Sequence, residues 1–269
     1  MFANVNGVRT FYELSGPSSG RVLALCHSLG TSSALWDRQL AAADSAFAGM
    51  RILRYDVRGH GQSAVSAVDV SIDLLAADFI ALLDLLEVDR VDFAGVSLGG
   101  IVGQWLAARV PERINRLVLA NTAAKIGTSE MWNGRIATVG KRGLSLIAPS
   151  AIRRWFTSDF AAREPAVTDA FRHMLLDTPT DGYIGACAAI RDADLRPLAR
   201  EIAAPTLVLT GKSDAVTTVD DASWLADNIP NASIITLPAS HLANVEAAAE
   251  FNDAVSQFLS RPETKRGRE

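Results

Sequence analysis

Hydrophobic residues fall into short continuous runs separated by longer stretches with helical spacing. Val22 to Cys26 (VLALC), Arg51 to Val57 (RILRYDV), Val91 to Val96 (VDFAGV), Arg116 to Thr122 (RLVLANT), Thr206 to Gly211 (TLVLTG) and Ser233 to Pro238 (SIITLP) read as strands. Runs this uniformly apolar suit strands covered on both faces, as in a parallel sheet. Between the second and third runs, Ile72, Leu75, Ala76, Phe79, Leu82, Leu83 and Leu86 recur at helical spacing. They predict a helix over Ile72 to Val88 with one apolar face and Asp and Glu on much of the other. This alternation predicts an α/β fold, a mostly parallel central sheet flanked by helices. The opening segment, two extended stretches around a Gly16 to Gly20 turn, predicts a leading antiparallel hairpin.

The rhythm breaks between about Ala123 and Leu195, where no strand-like run occurs and the spacing is helical throughout. The expected organisation is a helical cap over residues 123–195, inserted into a core made of residues 1–122 and 196–260. Residues 261–269 are charged, contain a proline and offer no apolar face, so they are expected to be a disordered tail.

Of the 269 residues, 49% are hydrophobic and 21% charged, enough to bury a sizeable core and unlike a disordered chain or a coiled coil. A net charge of −4 is poor footing for nucleic-acid binding. Two cysteines, Cys26 and Cys187, do not make a disulfide framework and fit a reducing compartment. The start MFANVNGVRT lacks the pattern of a signal peptide, and no run of about 18 strongly apolar residues marks a membrane span. A cytoplasmic globular protein is expected.

The pattern G-x-S-x-G occurs twice. Gly16-Pro17-Ser18-Ser19-Gly20 carries a proline, follows no long apolar strand and opens no helix, so it reads as a plain turn. Gly95-Val96-Ser97-Leu98-Gly99 follows the strand VDFAGV and leads into GIVGQWLAARV, the strand, turn and helix of a nucleophile elbow. A serine hydroxyl needs a general base. Of four histidines, His27 and His60 precede Ser97, His173 reads as a surface residue of the helical segment, and His241 follows SIITLP in a loop at the sheet's carboxyl edge. The acid in the order Ser, Asp, His is then Asp214, in the loop after TLVLTG. Ser97, Asp214 and His241 are the expected triad. An oxyanion needs two preorganised N–H donors, and Leu98, after the nucleophile, and Leu29, in the loop after VLALC, are the expected pair.

These motifs, with Asp56-x-Arg58-Gly59-His60-Gly61-x-Ser63, resemble the α/β-hydrolase fold family from about Gly7 to Leu259. A serine nucleophile disfavours the aspartate-nucleophile branches but leaves lactonases, carboxylesterases, cofactor-free haloperoxidases and C–C bond hydrolases open. Three segments are more specific: the loop His27 to Thr31, Thr128 to Ile136 (TSEMWNGRI) and Ala188 to Leu195 (AAIRDADL) resemble the 3-oxoadipate enol-lactonases. Ser28 stands where the wider family usually has the second glycine of its His-Gly loop.

The resemblance implies hydrolysis of 3-oxoadipate enol-lactone to 3-oxoadipate in the β-ketoadipate pathway of aromatic catabolism, with no metal or organic cofactor. Its small anionic lactone substrate carries a carboxylate beyond the ring, which calls for a cation. From Lys125 to Ser158 there are six basic residues against Glu130 alone, a local +5, followed by −4 from Asp159 to Leu195. Arg135, beside Trp132, is the first candidate and Arg154 the second, with Trp132 and Trp155 as pocket walls. Alternatives are a broad-specificity carboxylesterase or cofactor-free perhydrolase using the same triad, and a hydrolase-fold protein that binds a ligand without turnover. The sequence leaves the oligomeric state open.

Overall fold

The computed structural model describes residues 1–41, 46–65 and 69–261. Eight strands form one sheet: β1 (Phe2–Val5), β2 (Val8–Ser15), β3 (Val22–Cys26), β4 (Arg51–Tyr55), β5 (Val91–Val96), β6 (Ile114–Ala120), β7 (Thr206–Gly211) and β8 (Ala232–Leu237). Their order is β1-β2-β4-β3-β5-β6-β7-β8. The pairs β1–β2 and β2–β4 are antiparallel and every other neighbouring pair is parallel. Every residue of β3, β5 and β7 is buried, which is why those runs carry no polar alternation.

The leading hairpin differs from the expectation. It is β1–β2, closed at Asn6-Gly7, whose φ angles of 46° and 77° suit the tight turn that Asn-Gly favours. The Gly16–Gly20 turn instead joins β2 to β3, which are not neighbours because β4 lies between them. Backbone contact explains the glycines there: a Cβ on Gly16 would stand 2.4 Å from the Met50 carbonyl oxygen.

The core helices are α1 (Asp37–Ala41), α2 (Ile72–Leu85) and α3 (Leu98–Arg109). The Ser71 hydroxyl caps α2 by accepting from Leu74 N–H. That helix stops three residues before the expected end, and Asp78, expected with the acids of its outer face, is buried. Asp78 pairs with Arg58 at 2.7 Å, bringing the Arg58–Gly59–His60 turn onto α2.

Between β6 and β7 come five helices: α4 (Ser129–Arg142), α5 (Ala148–Trp155), α6 (Ser158–Arg163), α7 (Pro165–Asp177) and α8 (Thr180–Asp192). Thr128 and Thr157 cap α4 and α6. α4 lies against α8, and α5 against α7. The two ends of this insert meet where Leu195 N–H donates to the Ala124 carbonyl at 2.8 Å. Its roof touches the core through backbone: a Cβ on Gly182 would stand 2.0 Å from the Gly59 oxygen. The chain then completes α9 (Val219–Asn228), α10 (Ala243–Glu246) and α11 (Ala248–Leu259). No helix among the described residues is long and apolar enough to cross a membrane. Of the expected tail, residues 262–269 lie outside the described residues.

Candidate active site

Ser97 sits between β5 and α3 with φ 55° and ψ −109°, a backbone conformation that a serine adopts only where its surroundings enforce it. The enforcement is close approach. A Cβ on Gly95 would lie 2.2 Å from the Gly99 oxygen, and one on Gly99 would lie 2.3 Å from the Cys26 oxygen. The elbow is therefore wedged against the end of β3, and hydrogen bonds to the end of β6 fix it: Ser97 N–H to the Ala120 carbonyl at 3.0 Å, Thr122 hydroxyl to the Ser97 carbonyl at 2.8 Å.

Asp214 and His241 follow β7 and β8, so the sheet order puts the three residues at the carboxyl ends of β5, β7 and β8. His241 Nδ1 is 2.8 Å from Asp214 Oδ2. Because an ionised carboxylate only accepts, Nδ1 carries the proton and Nε2 keeps its lone pair, the tautomer a general base needs. Asp214 Oδ2 also accepts from the Asn121 amide at 3.0 Å and the Thr217 hydroxyl at 2.8 Å, while Oδ1 accepts from Val216 N–H at 2.8 Å and Thr217 N–H at 3.1 Å. Burial alone would raise its pKa. The His241 charge and hydrogen bond, with those from Asn121 and Val216, outweigh burial and hold Asp214 down at about 2.

Asn121 is the residue between Ala120 and Thr122, the two that hold the elbow. It is buried, has φ 45°, and its amide donates to the Ser240 carbonyl at 3.1 Å as well as to Asp214. One residue thus links the serine elbow, the acid and the loop before His241. Sequence reasoning missed both Asn121 and Thr217. The available signals were a polar residue at the carboxyl end of an apolar strand, and a threonine three residues after the aspartate, where an Asx-type turn closes.

The loop after β3 is shaped by His27. Its Nε2 accepts from Val57 N–H at 2.8 Å and its Nδ1 donates to the Ser28 carbonyl at 2.8 Å, so it serves as a neutral strut; burial lowers its pKa. Ser28 has no positive φ, and its backbone does not require the glycine found there in the wider family. Gly30, at φ 71°, does require one: a Cβ would meet Leu175 Cδ1 at 2.6 Å and the Tyr183 ring at 3.1 Å. The N–H groups of Leu29 and Leu98 donate to no protein acceptor among the described residues. They are therefore free to donate to an oxyanion. His60 is buried beside His27, with ring centroids 5.4 Å apart, and His173 is exposed on α7.

Arg135 on α4 and Arg154 on α5 lie within electrostatic range of each other. Burial, then the Arg135 charge, lowers the Arg154 pKa. Arg135 also lies over the Trp132 ring at 5.1 Å. Neither guanidinium pairs with a carboxylate among the described residues, whereas Lys125 in the same basic stretch pairs with Asp194 at 3.7 Å. The Tyr183 hydroxyl shares this neighbourhood. Burial and the Cys187 thiol push its pKa up against the pull of Arg135 and Arg154. Trp132 is buried with its indole N–H on the Ile126 carbonyl at 2.7 Å. Trp155 is buried too, and its carbonyl accepts from Leu242 N–H at 3.0 Å, joining α5 to the His241 loop.

Residues 21–248 match the family model of the alpha/beta hydrolase fold. A protein named 3-oxoadipate enol-lactonase 2, from Acinetobacter baylyi, is 39% identical over 93% of this chain and 92% of its own length. 3-Oxoadipate enol-lactonase 1 of the same organism is 34% identical over 96% of each chain. The crystal structure of the enol-lactonase from Burkholderia xenovorans LB400 superposes with a TM-score of 0.94 at 38% identity, covering 97% of this chain and all 100% of that one.

Proposed function

This chain belongs to the α/β-hydrolase fold family, and from that membership we propose that it hydrolyses 3-oxoadipate enol-lactone to 3-oxoadipate through an acyl-enzyme on Ser97. Residues 123–195 act as the cap of this reading, over a core of residues 1–122 and 196–260. The observation that carries it is the pair of guanidiniums, Arg135 and Arg154, which feel each other's charge and have no carboxylate partners among the described residues. A neutral ester has no use for two unpaired cations; a lactone bearing a carboxylate does.

In the proposed reaction Ser97 Oγ attacks the lactone carbonyl as His241 Nε2 takes its proton, and Asp214 holds the imidazole and offsets its developing charge. Leu29 and Leu98 N–H groups receive the oxyanion. Collapse breaks the ring C–O bond. The leaving enolate oxygen stays tethered, is a better leaving group than an alkoxide, and returns as the ketone after proton transfer. Water, deprotonated by His241, then attacks the acyl-enzyme, frees Ser97 and releases the second carboxylate. Trp132 and Trp155 bound the substrate pocket. The pathway setting is the degradation of aromatic compounds, and a cytoplasmic location suits the two buried, unpaired cysteines.

The test compares kcat/KM for the enol-lactone, neutral lactones and p-nitrophenyl esters. The enol-lactone should lead, Ser97→Ala should abolish its hydrolysis without loss of fold, and a fluorophosphonate should label Ser97. Removal of the arginine that holds the carboxylate should cost about 10- to 150-fold, the equivalent of a charge-assisted hydrogen bond of roughly 1.5–3 kcal/mol. Better turnover of the neutral esters would favour a broad carboxylesterase, and substantial activity in Ser97→Ala would refute the mechanism.

A further inference from the structure

The loop carrying His241 is tied to the helical insert on both sides of the imidazole. Before it, the Ser240 hydroxyl donates to the Arg154 carbonyl at 2.8 Å, sharing its proton with the Ser213 carbonyl at 3.3 Å. After it, Leu242 N–H donates to the Trp155 carbonyl at 3.0 Å. Arg154 and Trp155 end α5, and a helix leaves its last carbonyls without intrahelical donors. The His241 loop supplies the missing donors, so it caps the helix whose last turn carries Arg154.

Glu246, at the end of α10, adds a third link. Its carboxylate accepts from Ser240 N–H at 2.9 Å, from Thr157 N–H at 3.2 Å and from the Thr157 hydroxyl. Thr157 lies two residues beyond Trp155 and caps α6. Among the described residues no cation pairs with this carboxylate. It is a charged acceptor shared between the loop of the base and the insert, and hydrogen bonds to a charged acceptor are about twice as strong as neutral ones.

We infer that Ser240 and Glu246 are positioning residues that make the Arg154 turn and the His241 loop a single body, so that a substrate carboxylate held at Arg154 fixes where the His241 imidazole stands. The inference rests on the reading above, in which the substrate's carboxylate binds Arg154. Binding energy from a remote part of a substrate raises kcat only when it is realised at the reacting atoms. A rigid link between the anion contact and the general base transmits it there, and about 1 Å of misplacement at such a group costs roughly 100-fold. A link that served folding alone would matter equally for every substrate. One that transmits the anion contact matters for substrates that carry the anion.

The experiment measures kcat and KM for the enol-lactone and for neutral p-nitrophenyl acetate in the parent, Glu246→Gln, Arg154→Met and the double variant, with melting temperatures as a fold control. For the lactone, Glu246→Gln should lower kcat by about tenfold or more, within the roughly 100-fold scale of misplacement, and leave KM within about twofold. For the acetate it should change kcat little. The double variant should be no worse in kcat for the lactone than Arg154→Met alone. Equal losses on both substrates, or losses that multiply in the double variant, overturn the coupling while leaving the carboxylate reading intact. If Arg154→Met leaves the preference for lactone over acetate unchanged, the carboxylate reading falls and the coupling with it. Should Glu246→Gln fail to fold, Ser240→Ala, which deletes the hydroxyl bond to α5 and its longer branch to the Ser213 carbonyl, carries the same comparison and the same outcomes.

Discussion

Replacing Asn121 by alanine tests how the candidate acid is held. The side chain is 1% exposed, and its amide serves both Asp214 and the Ser240 carbonyl. The change removes a hydrogen bond to a charged acceptor, about 1.5–3 kcal/mol, and one to a neutral carbonyl, about 0.5–1.5 kcal/mol. Alanine in the left-handed region adds roughly 1 kcal/mol. Because these effects share one site they do not sum in full, and a loss of about 3–4 kcal/mol is expected. At about 2–4 °C per kcal/mol for a chain of this size, the Tm should fall by roughly 6–16 °C. Part of that loss depends on pH, with a fixed sign. Asp214 is held at about 2 against an ordinary 3.8. A depressed carboxylate stabilises the fold above its unfolded pKa and loses that contribution as pH falls from about 4 to about 2. The whole depression corresponds to roughly 2.4 kcal/mol, of which Asn121 supplies a part. The stability gap between parent and Asn121→Ala, read from urea unfolding by circular dichroism, should therefore be full at pH 7 and narrower at pH 3. An equal gap at both values, or a Tm within 2 °C of the parent, would refute the account, since the amide would then not be stabilising an ionised Asp214.

Two further predictions concern the seams around the site. Gly182→Ala must push α8 away from the Gly59 backbone, costing about 1–3 kcal/mol and drawing Tyr183 off Gly30. Thermal melting should register the loss and kcat/KM should drop, whereas Gly134→Ala, whose Cβ would meet nothing within 4 Å, should be neutral or stabilising. At His60, burial and then the neighbouring His27 lower the pKa from 6.5 to about 3. The folded state keeps this ring neutral, so its contribution is constant above pH 6.5 and stability falls as pH drops below it, by up to about 1.4 kcal/mol per pH unit. In His60→Gln the slope of urea stability between pH 6.5 and 5 should be shallower; an unchanged slope would place the acid sensitivity elsewhere.

The sheet was legible because its central strands are mostly apolar runs without a polar face, a pattern that survives without knowledge of neighbours. The hairpin was misplaced because a Gly-rich turn between two extended stretches looks the same whether those stretches pair or are separated by a third strand. The Asn6-Gly7 dipeptide was the better local signal. The placement of Ser97, Asp214 and His241 at strand ends was legible because the apolar runs and chain order constrain it. Thr217 left a local signal, three residues after Asp214, and Asn121 a weaker one at a strand end, whereas the contacts of Asn121, Ser240 and Glu246 depend on β6 lying between β5 and β7 and on α5 reaching the loop after β8. Asp78 makes the same point on a helix: it falls among acids on a face that reads as solvated, and only Arg58, 20 residues earlier, makes it a buried partner.

Net charge gave the least local information, because −4 for the chain conceals two guanidiniums, Arg135 and Arg154, that interact electrostatically and have no carboxylate partner among the described residues. Such an arrangement has a cost in the ligand-free protein. Burial and the Arg135 charge both lower the Arg154 pKa, so the folded state holds that charge against an opposing free energy. Sites built for binding commonly carry destabilisation of this kind. Arg154→Met keeps an apolar stem and removes the charge, so without ligand its Tm should equal or exceed that of the parent. A dicarboxylate should reverse the ranking. At 100 times its Kd, 3-oxoadipate should stabilise the parent by about 2.7 kcal/mol, and it should raise the Tm of Arg154→Met far less. Should ligand-free Arg154→Met instead melt several degrees below the parent, Arg154 would be a strut of the insert, and the cation pair would lose its standing as an anion site.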